Sequence, residues 1–237
     1  MKPYNRGKCK QELIDDLDRV GGVVNELYRH RFVYDRIVEI ALANPRVSAV
    51  PNHLWFFLAR IFSDSVLVGV RRALDPKAKE NRTASLGTIV RRLEKHPDII
   101  TRTEFASGCA SNDLPADITA SGFTRLAGQG EELDPDLLRC RLEDVERQCA
   151  PILDFVNMRI AHSDRSPKGA PVKWEEADDA IDAVGELYCD LRLLLTQAKD
   201  AAAGTDFLKP CPKSREYTEW TKVFEVPWID PPEHATL

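Results

Sequence analysis

The sequence predicts an all-α fold, a helical bundle of about five main helices with an extended C-terminal tail. Alternation of apolar and polar residues at period two, the mark of a half-buried strand, is nearly absent. Apolar residues recur instead at the three-to-four spacing of helices in at least five stretches. With 237 residues, 43% of them hydrophobic, the chain has enough apolar material to bury a sizeable core. It needs no metal or cofactor merely to stay folded.

The first stretch, about 9–43, carries Leu13, Leu17, Val20, Val24, Leu27, Val33, Ile37 and Ile40 and closes before Pro45. It reads as one long helix with Gly21 and Gly22 as a candidate kink. The second begins at an Asn52 cap and runs from Leu54 through Trp55, Phe57, Ile61, Val66 and Val70 to Leu74, stopping at Asp75-Pro76. Its wide apolar face belongs at the centre of a bundle. The third starts near Ser85, shows Leu86, Ile89, Val90 and Leu93, and ends at Pro97. A short helical turn to about Phe105 follows, and then a Gly-, Ser- and Ala-rich stretch to Leu133 reads as a loop, mobile lid or disordered connection.

Asp134-Pro135 opens the fourth helix, with Asp as cap and Pro in the first helical position. Leu138, Leu142, Val145, Cys149, Ile152 and Val156 step by four and three, the spacing of a bundle seam. The fifth helix, about 174–203, sets Ala177, Ala180, Ile181, Val184, Leu187, Tyr188, Leu191 and Leu195 on one face. Glu175, Glu176, Asp178, Asp179, Asp182, Glu186 and Asp190 form the other, read as a solvated face. The bundle domain therefore spans 1–206. The tail, 207–237, holds five prolines, and Trp220, Phe224 and Trp228 would pin it to the bundle or to a partner chain.

The formal charge of -5 comes from 33 Lys and Arg against 38 Asp and Glu, which speaks against a general nucleic-acid or anionic-membrane binder. Nucleic-acid contact would have to be local. With no apolar stretch of membrane-spanning length and no apolar region behind the basic N-terminus, a cytoplasmic protein is expected. The six cysteines show no Cys-x-x-Cys spacing, so free core thiols are expected rather than a zinc site. Absence of a glycine-rich phosphate loop, of Gly-x-Ser-x-Gly and of His-Glu-x-x-His argues against P-loop nucleotide hydrolysis, serine hydrolysis and zinc proteolysis.

Chemistry concentrates in the stretch from Asp154 to Arg165, at the C-terminal end of the fourth helix. Arg159 and His162 lie three apart and share a helix face, with Phe155 one turn back on the same ridge. Such a pair suits metal-independent phosphodiester cleavage. Histidine can move a proton to or from a ribose oxygen near neutral pH, an effect of about a hundred to ten thousandfold. Arginine can clamp the phosphate with two parallel hydrogen bonds. The same pair at a helix end can instead cap carbonyls and complement the helix dipole, and spacing alone leaves both readings open.

Arg-Ile-Ala-His-Ser-Asp-Arg, residues 159–165, resembles the signature of HEPN domains, in particular the abortive-infection AbiU-type branch. Val70-Arg71-Arg72-Ala73-Leu74-Asp75-Pro76, followed by Ser85-Leu86, is similar to that branch where its second helix ends and its third begins. The resemblance covers roughly residues 10–200. It implies a bundle that dimerises, and for many members metal-independent RNA cleavage in phage defence or toxin-antitoxin systems. It assigns the catalytic histidine to His162 and the polar neighbour of the usual arginine to Asn157. Val156 stands where that arginine would be, and Arg159 is the nearby substitute. Asp164 is a helper that could orient His162. This departure keeps a second reading open, an inactive interaction module that binds RNA, a nucleotide or a partner protein.

From Arg71 to Lys95 the chain carries eight Lys and Arg against three acids. Arg71, Arg72, Lys77, Lys79, Arg82, Arg91 and Arg92 are the candidate RNA-binding residues of this island, which could equally be a solvated helix face. Arg72 and Asp75, three apart, could pair to close the second helix. His30, His53 and His96 lack metal-ligand spacing and read as packing or capping residues. Expected partners are RNA, a second copy of the chain and an antitoxin or other protein, with no membrane.

Overall fold

In a computed structural model, residues 4–43, 53–75, 83–157, 172–214 and 218–219 are described, with backbone alone at 53–55 and 126. Among them the fold is all helical, without a strand. The helices are α1 (Arg6–Ala43), α2 (His53–Leu74), α3 (Leu86–Lys95), α4 (Arg102–Ser111), α5 (Ala116–Ala127), α6 (Pro135–Gln148), α7 (Ala150–Phe155), α8 (Trp174–Thr196) and α9 (Lys199–Ala202). Short 3-10 turns occupy Pro97–Ile99 and Gly204–Leu208. None of these helices is long and apolar enough to cross a membrane.

α8 is the axis of the bundle. It packs against α1, α2, α5, α6 and α7, and its apolar face from Ala177 through Leu195 is buried. α1 contributes Leu13, Leu17, Val20, Val24 and Leu27, each at most 1% exposed, to the same core. The helix runs unbroken through Gly21 and Gly22. A methyl at Gly21 would collide with the hydroxyl of Tyr188 on α8, and one at Gly185 of α8 would collide with the hydroxyl of Tyr28 on α1. Each tyrosine thus lies over the glycine of the facing helix, and the two glycines set how closely α1 and α8 approach.

The helix ends follow local chemistry. Ser85 caps α3: its Oγ accepts from the Thr88 amide at 3.1 Å while the Ser85 amide donates to Thr88 Oγ1 at 3.0 Å. Asp134 caps α6 by accepting the amides of Asp136 and Leu137 at 3.0 and 3.2 Å, with Pro135 at the first position. The seam expected of one fourth helix is buried throughout, but Cys149 divides it into α6 and α7, where Pro151 occupies a first-turn position. α8 stops at Thr196, short of 203, because Gln197 turns left-handed at φ 50°.

The stretch 105–133, read as a loop, is instead two helices. Thr101 and Glu104 form a reciprocal capping box at the start of α4. Phe105 and Cys109 of α4 and Phe123 and Ala127 of α5 are fully buried, with the Phe105 and Phe123 rings 5.6 Å apart. Arg102 stitches the far end, donating to Gly128 O, Gly130 O and Thr124 Oγ1 while its guanidinium lies 4.8 Å over the Phe123 ring. Beyond α9, Leu208 is buried and Phe207 packs near Tyr188 with ring centroids 6.4 Å apart. Trp220, Phe224 and Trp228 of the expected tail lie outside the described residues.

The acidic face of α8 is only partly solvated. Asp190 takes Arg125 at 3.1 Å and Arg141 at 3.3 Å, and Asp182 takes Arg31 at 2.9 Å and the Tyr28 hydroxyl at 3.1 Å. Burial raises the Asp190 carboxyl against the pull of those two arginines. Asp178, at 4.0 Å from Arg31, is pushed up to about 6, first by burial and then by its neighbours Asp35, Asp182 and Asp179. Cys109, Cys149 and Cys189 are buried free thiols, Cys9 is half-buried, and Cys140 and Cys211 are exposed. Burial pushes both Cys149 and Cys189 up to about 12.

Candidate functional site at the end of the second helix

The C-terminal turn of α2 packs against α7, and their polar contact is made by Arg71. Its guanidinium donates to Asp75 Oδ1 at 2.8 Å and, through Nε, to Asn157 Oδ1 at 3.4 Å. Arg71 and Asp75 are one helical turn apart, and their side chains are 23% and 22% exposed. Asp75 ends α2 at φ 33°, a left-handed conformation that aspartate tolerates better than most residues. Pairing with Arg71 fixes its carboxylate there. Arg72 does not make this bond, contrary to the expected Arg72–Asp75 pair; Arg71, four residues ahead of Asp75, makes it instead.

Asn157 sits where the α7 helix widens into a π-type turn over Val156 and Asn157. The half-buried Asn157 amide faces α2, whereas Val156 is 5% exposed and belongs to the core. The position at which the resemblance would place an arginine therefore points inward and carries a side chain suited to the interior. Arg159, His162 and Asp164 lie outside the described residues, as do Lys77, Lys79 and Arg82.

The described part of the basic island divides by direction. Arg71 faces α7. Arg92 turns to α1, bonding Asp16 at 2.9 Å and Glu12 at 3.1 Å, with Cys9 Sγ 3.8 Å away. Its charge is committed to holding α3 on α1 rather than presented to solvent. Arg91 lies near Glu146 of α6, where it lowers a carboxyl that burial otherwise raises. Arg72 is exposed, makes no hydrogen bond or ion pair among the described residues, and lines a groove between α1 and α2. One helix end thus sends adjacent arginines to different faces, since neighbouring helical positions diverge by about 100°.

Two histidines have partners that their spacing did not reveal. Nδ1 of His30 lies 3.2 Å from Ser65 Oγ across the α1–α2 contact, and Nε2 lies 3.7 Å from Glu26 one turn back. His96 stacks on Tyr4 with ring centroids 4.4 Å apart. No sequence signal marks the His30–Ser65 pair, because 35 residues separate them. Among the described residues, no group of three or more His, Cys, Asp or Glu could hold a metal ion.

Compared with family models, curated proteins and solved structures, the chain matches none. The functional reading rests on its own residues.

Proposed function

We propose that this chain is an RNA-directed helical-bundle protein of the HEPN type, acting in phage defence or as the toxin-like member of a toxin-antitoxin pair. The observation that carries the reading is the bridge from Arg71 to both Asp75 and Asn157. It ties Arg71, in the 70–76 segment that resembles the family, to Asn157, two residues ahead of the 159–165 segment that also does. The residues proposed to handle phosphate are Arg71, which makes the bridge, and Arg159 and His162, just after Asn157 in the chain. Two of the five guanidinium N–H groups of Arg71 are used in the bridge, leaving donors for a phosphodiester.

In this reading His162 moves the proton, Arg159 and Arg71 hold the phosphate, and Asn157 and Asp164 position them. A second copy of the chain completes the assembly. Phe56, Phe57 and Ile61 on α2 are 65%, 59% and 47% exposed, an apolar surface that such a copy would cover.

The buried Val156 supports a second reading, in which catalytic power is absent and the same site binds RNA, a nucleotide or a partner protein. Incubating purified protein with mixed cellular RNA in excess chelator, wild type beside His162→Ala, separates the two. Cleavage that survives chelation and disappears in the variant supports the enzyme. RNA binding without cleavage supports the module, and neither cleavage nor binding overturns the RNA reading.

A further inference from the structure

Hydroxyl groups inside these helices have a common habit. Ser63, Ser111, Thr119, Ser121 and Thr196 each donate to the carbonyl four residues back. Ser65 departs from it, and its Oγ faces Nδ1 of His30 at 3.2 Å instead. Glu26 stands 3.7 Å from the other ring nitrogen. In the tautomer with the proton at Nε2, on the Glu26 side, the Nδ1 lone pair accepts from the serine hydroxyl. This is the order of groups that activates a serine: nucleophile, base, and an acid that orients the base.

The three residues open onto a groove of about 580 Å3 between α1 and α2. That volume lies within the range of about 300 to 1,000 Å3 typical of small-molecule sites. Val23, Leu27 and Val68 supply apolar wall, and Gly22 leaves open space, with nothing within 4 Å of where a methyl would sit. Arg72 lies two turns beyond Ser65 on the same face of α2 and lines the groove without an ion pair among the described residues. The other charged residues of the lining are already matched: Arg19 with Asp16 at 2.8 Å, Glu26 with Arg29 at 3.6 Å and Asp64 with Arg60 at 3.9 Å.

We propose that Ser65, His30 and Arg72 form an acyl-transfer site for a small carboxylic ester, independent of the RNA reading. Ser65 Oγ attacks the ester carbonyl carbon as its proton passes to His30 Nδ1. Arg72 supplies the donor for the oxyanion. The bond to the alcohol oxygen then breaks, the leaving alkoxide takes the proton from His30, and the acyl group remains on Ser65. Water attacks this acyl-serine, His30 accepts the water proton and returns it to Ser65, and the carboxylic acid leaves.

The full chain is treated with a fluorophosphonate probe and mapped by peptide mass spectrometry, alongside hydrolysis of p-nitrophenyl acetate. The expected result is one adduct, on Ser65, and ester turnover that Ser65→Ala abolishes. His30→Gln slows labelling by about a hundredfold or more with helicity unchanged by circular dichroism. Arg72→Gln lowers kcat by about a hundredfold while Ser65 still labels. A folded wild-type chain with no adduct on Ser65 overturns the proposal, as does equal labelling of a folded His30→Gln protein. The wild-type experiment decides even where a variant fails to fold.

Discussion

The two sides of α1 are built on adjacent glycines put to opposite uses. Towards α8, Gly21 is buried beneath the Tyr188 ring, and Gly185 receives Tyr28 in return, so the seam is closed. Towards α2, a methyl at Gly22 would meet nothing within 4 Å, and the helices leave a groove crossed by the His30–Ser65 contact. Glycine in the middle of a helix costs about 1 kcal/mol relative to alanine, so a pair of them needs a reason. On one side the reason is close approach of two helices. On the other it is space that a side chain would fill.

The largest expected effect is on the closed seam. Gly21→Val or Gly185→Val should force Tyr188 or Tyr28 out of place and cost about 1–3 kcal/mol or more, read as a lower urea midpoint. Gly22→Ala, one residue away, should do the reverse and add up to about 1 kcal/mol. If both glycines responded alike, the contrast between the two faces would be wrong. Tyr28→Phe sharpens the seam further: losing the 3.1 Å bond to Asp182 should cost about 1 kcal/mol, without a change in the helical content measured by circular dichroism.

A smaller effect belongs to pH. Asp178 sits at about 6 when folded, above its ordinary 3.8, so the native chain holds that proton more tightly than the unfolded chain. The group therefore opposes folding fully above its folded value and progressively less as pH falls towards the ordinary one. Asp178→Asn should flatten the decline in melting temperature between about pH 4 and about pH 6.5. A variant whose profile keeps the wild-type slope would place that titration elsewhere.

What could be read from sequence divides by the size of the residues that carry the packing. Helices α1, α2, α3, α6 and α8 announce themselves because Leu, Ile and Val repeat at helical spacing, and most of those side chains are buried, although Phe57 and Ile61 of the α2 face expected at the bundle centre are exposed. α4 and α5 are also packed into the core, yet among the described residues Phe105, Cys109, Phe123 and Ala127, with the half-buried Ile118, carry the contact among Gly, Ser and Ala, too sparse a pattern to register as periodic. The Thr101–Glu104 capping box was the signal available there. Pro151 likewise marked the division of the fourth helix.

For the candidate site, the basic island was visible as composition, but its dispersal was not. Whether a lysine or arginine faces RNA, an acid or a groove depends on which helix packs opposite, and only the fold shows Arg92 spent on Asp16 and Glu12. Asn157 was legible through resemblance alone, and its partner Arg71, 86 residues away, required the packing of α2 on α7. His30 and Ser65 were invisible for the same reason.

The central claim, that the α2 end and the segment after Asn157 form the RNA site, is tested most directly by RNA binding of Arg71→Ala against Arg92→Ala. Affinity for a short single-stranded RNA is measured across salt concentrations with both variants verified as folded. Arg71→Ala should weaken binding about fivefold or more and reduce the salt slope by about 0.7, the share of one phosphate contact. Arg92→Ala should bind like wild type and show its defect in stability. Unchanged binding by Arg71→Ala, or loss of binding confined to Arg92→Ala, would contradict the account.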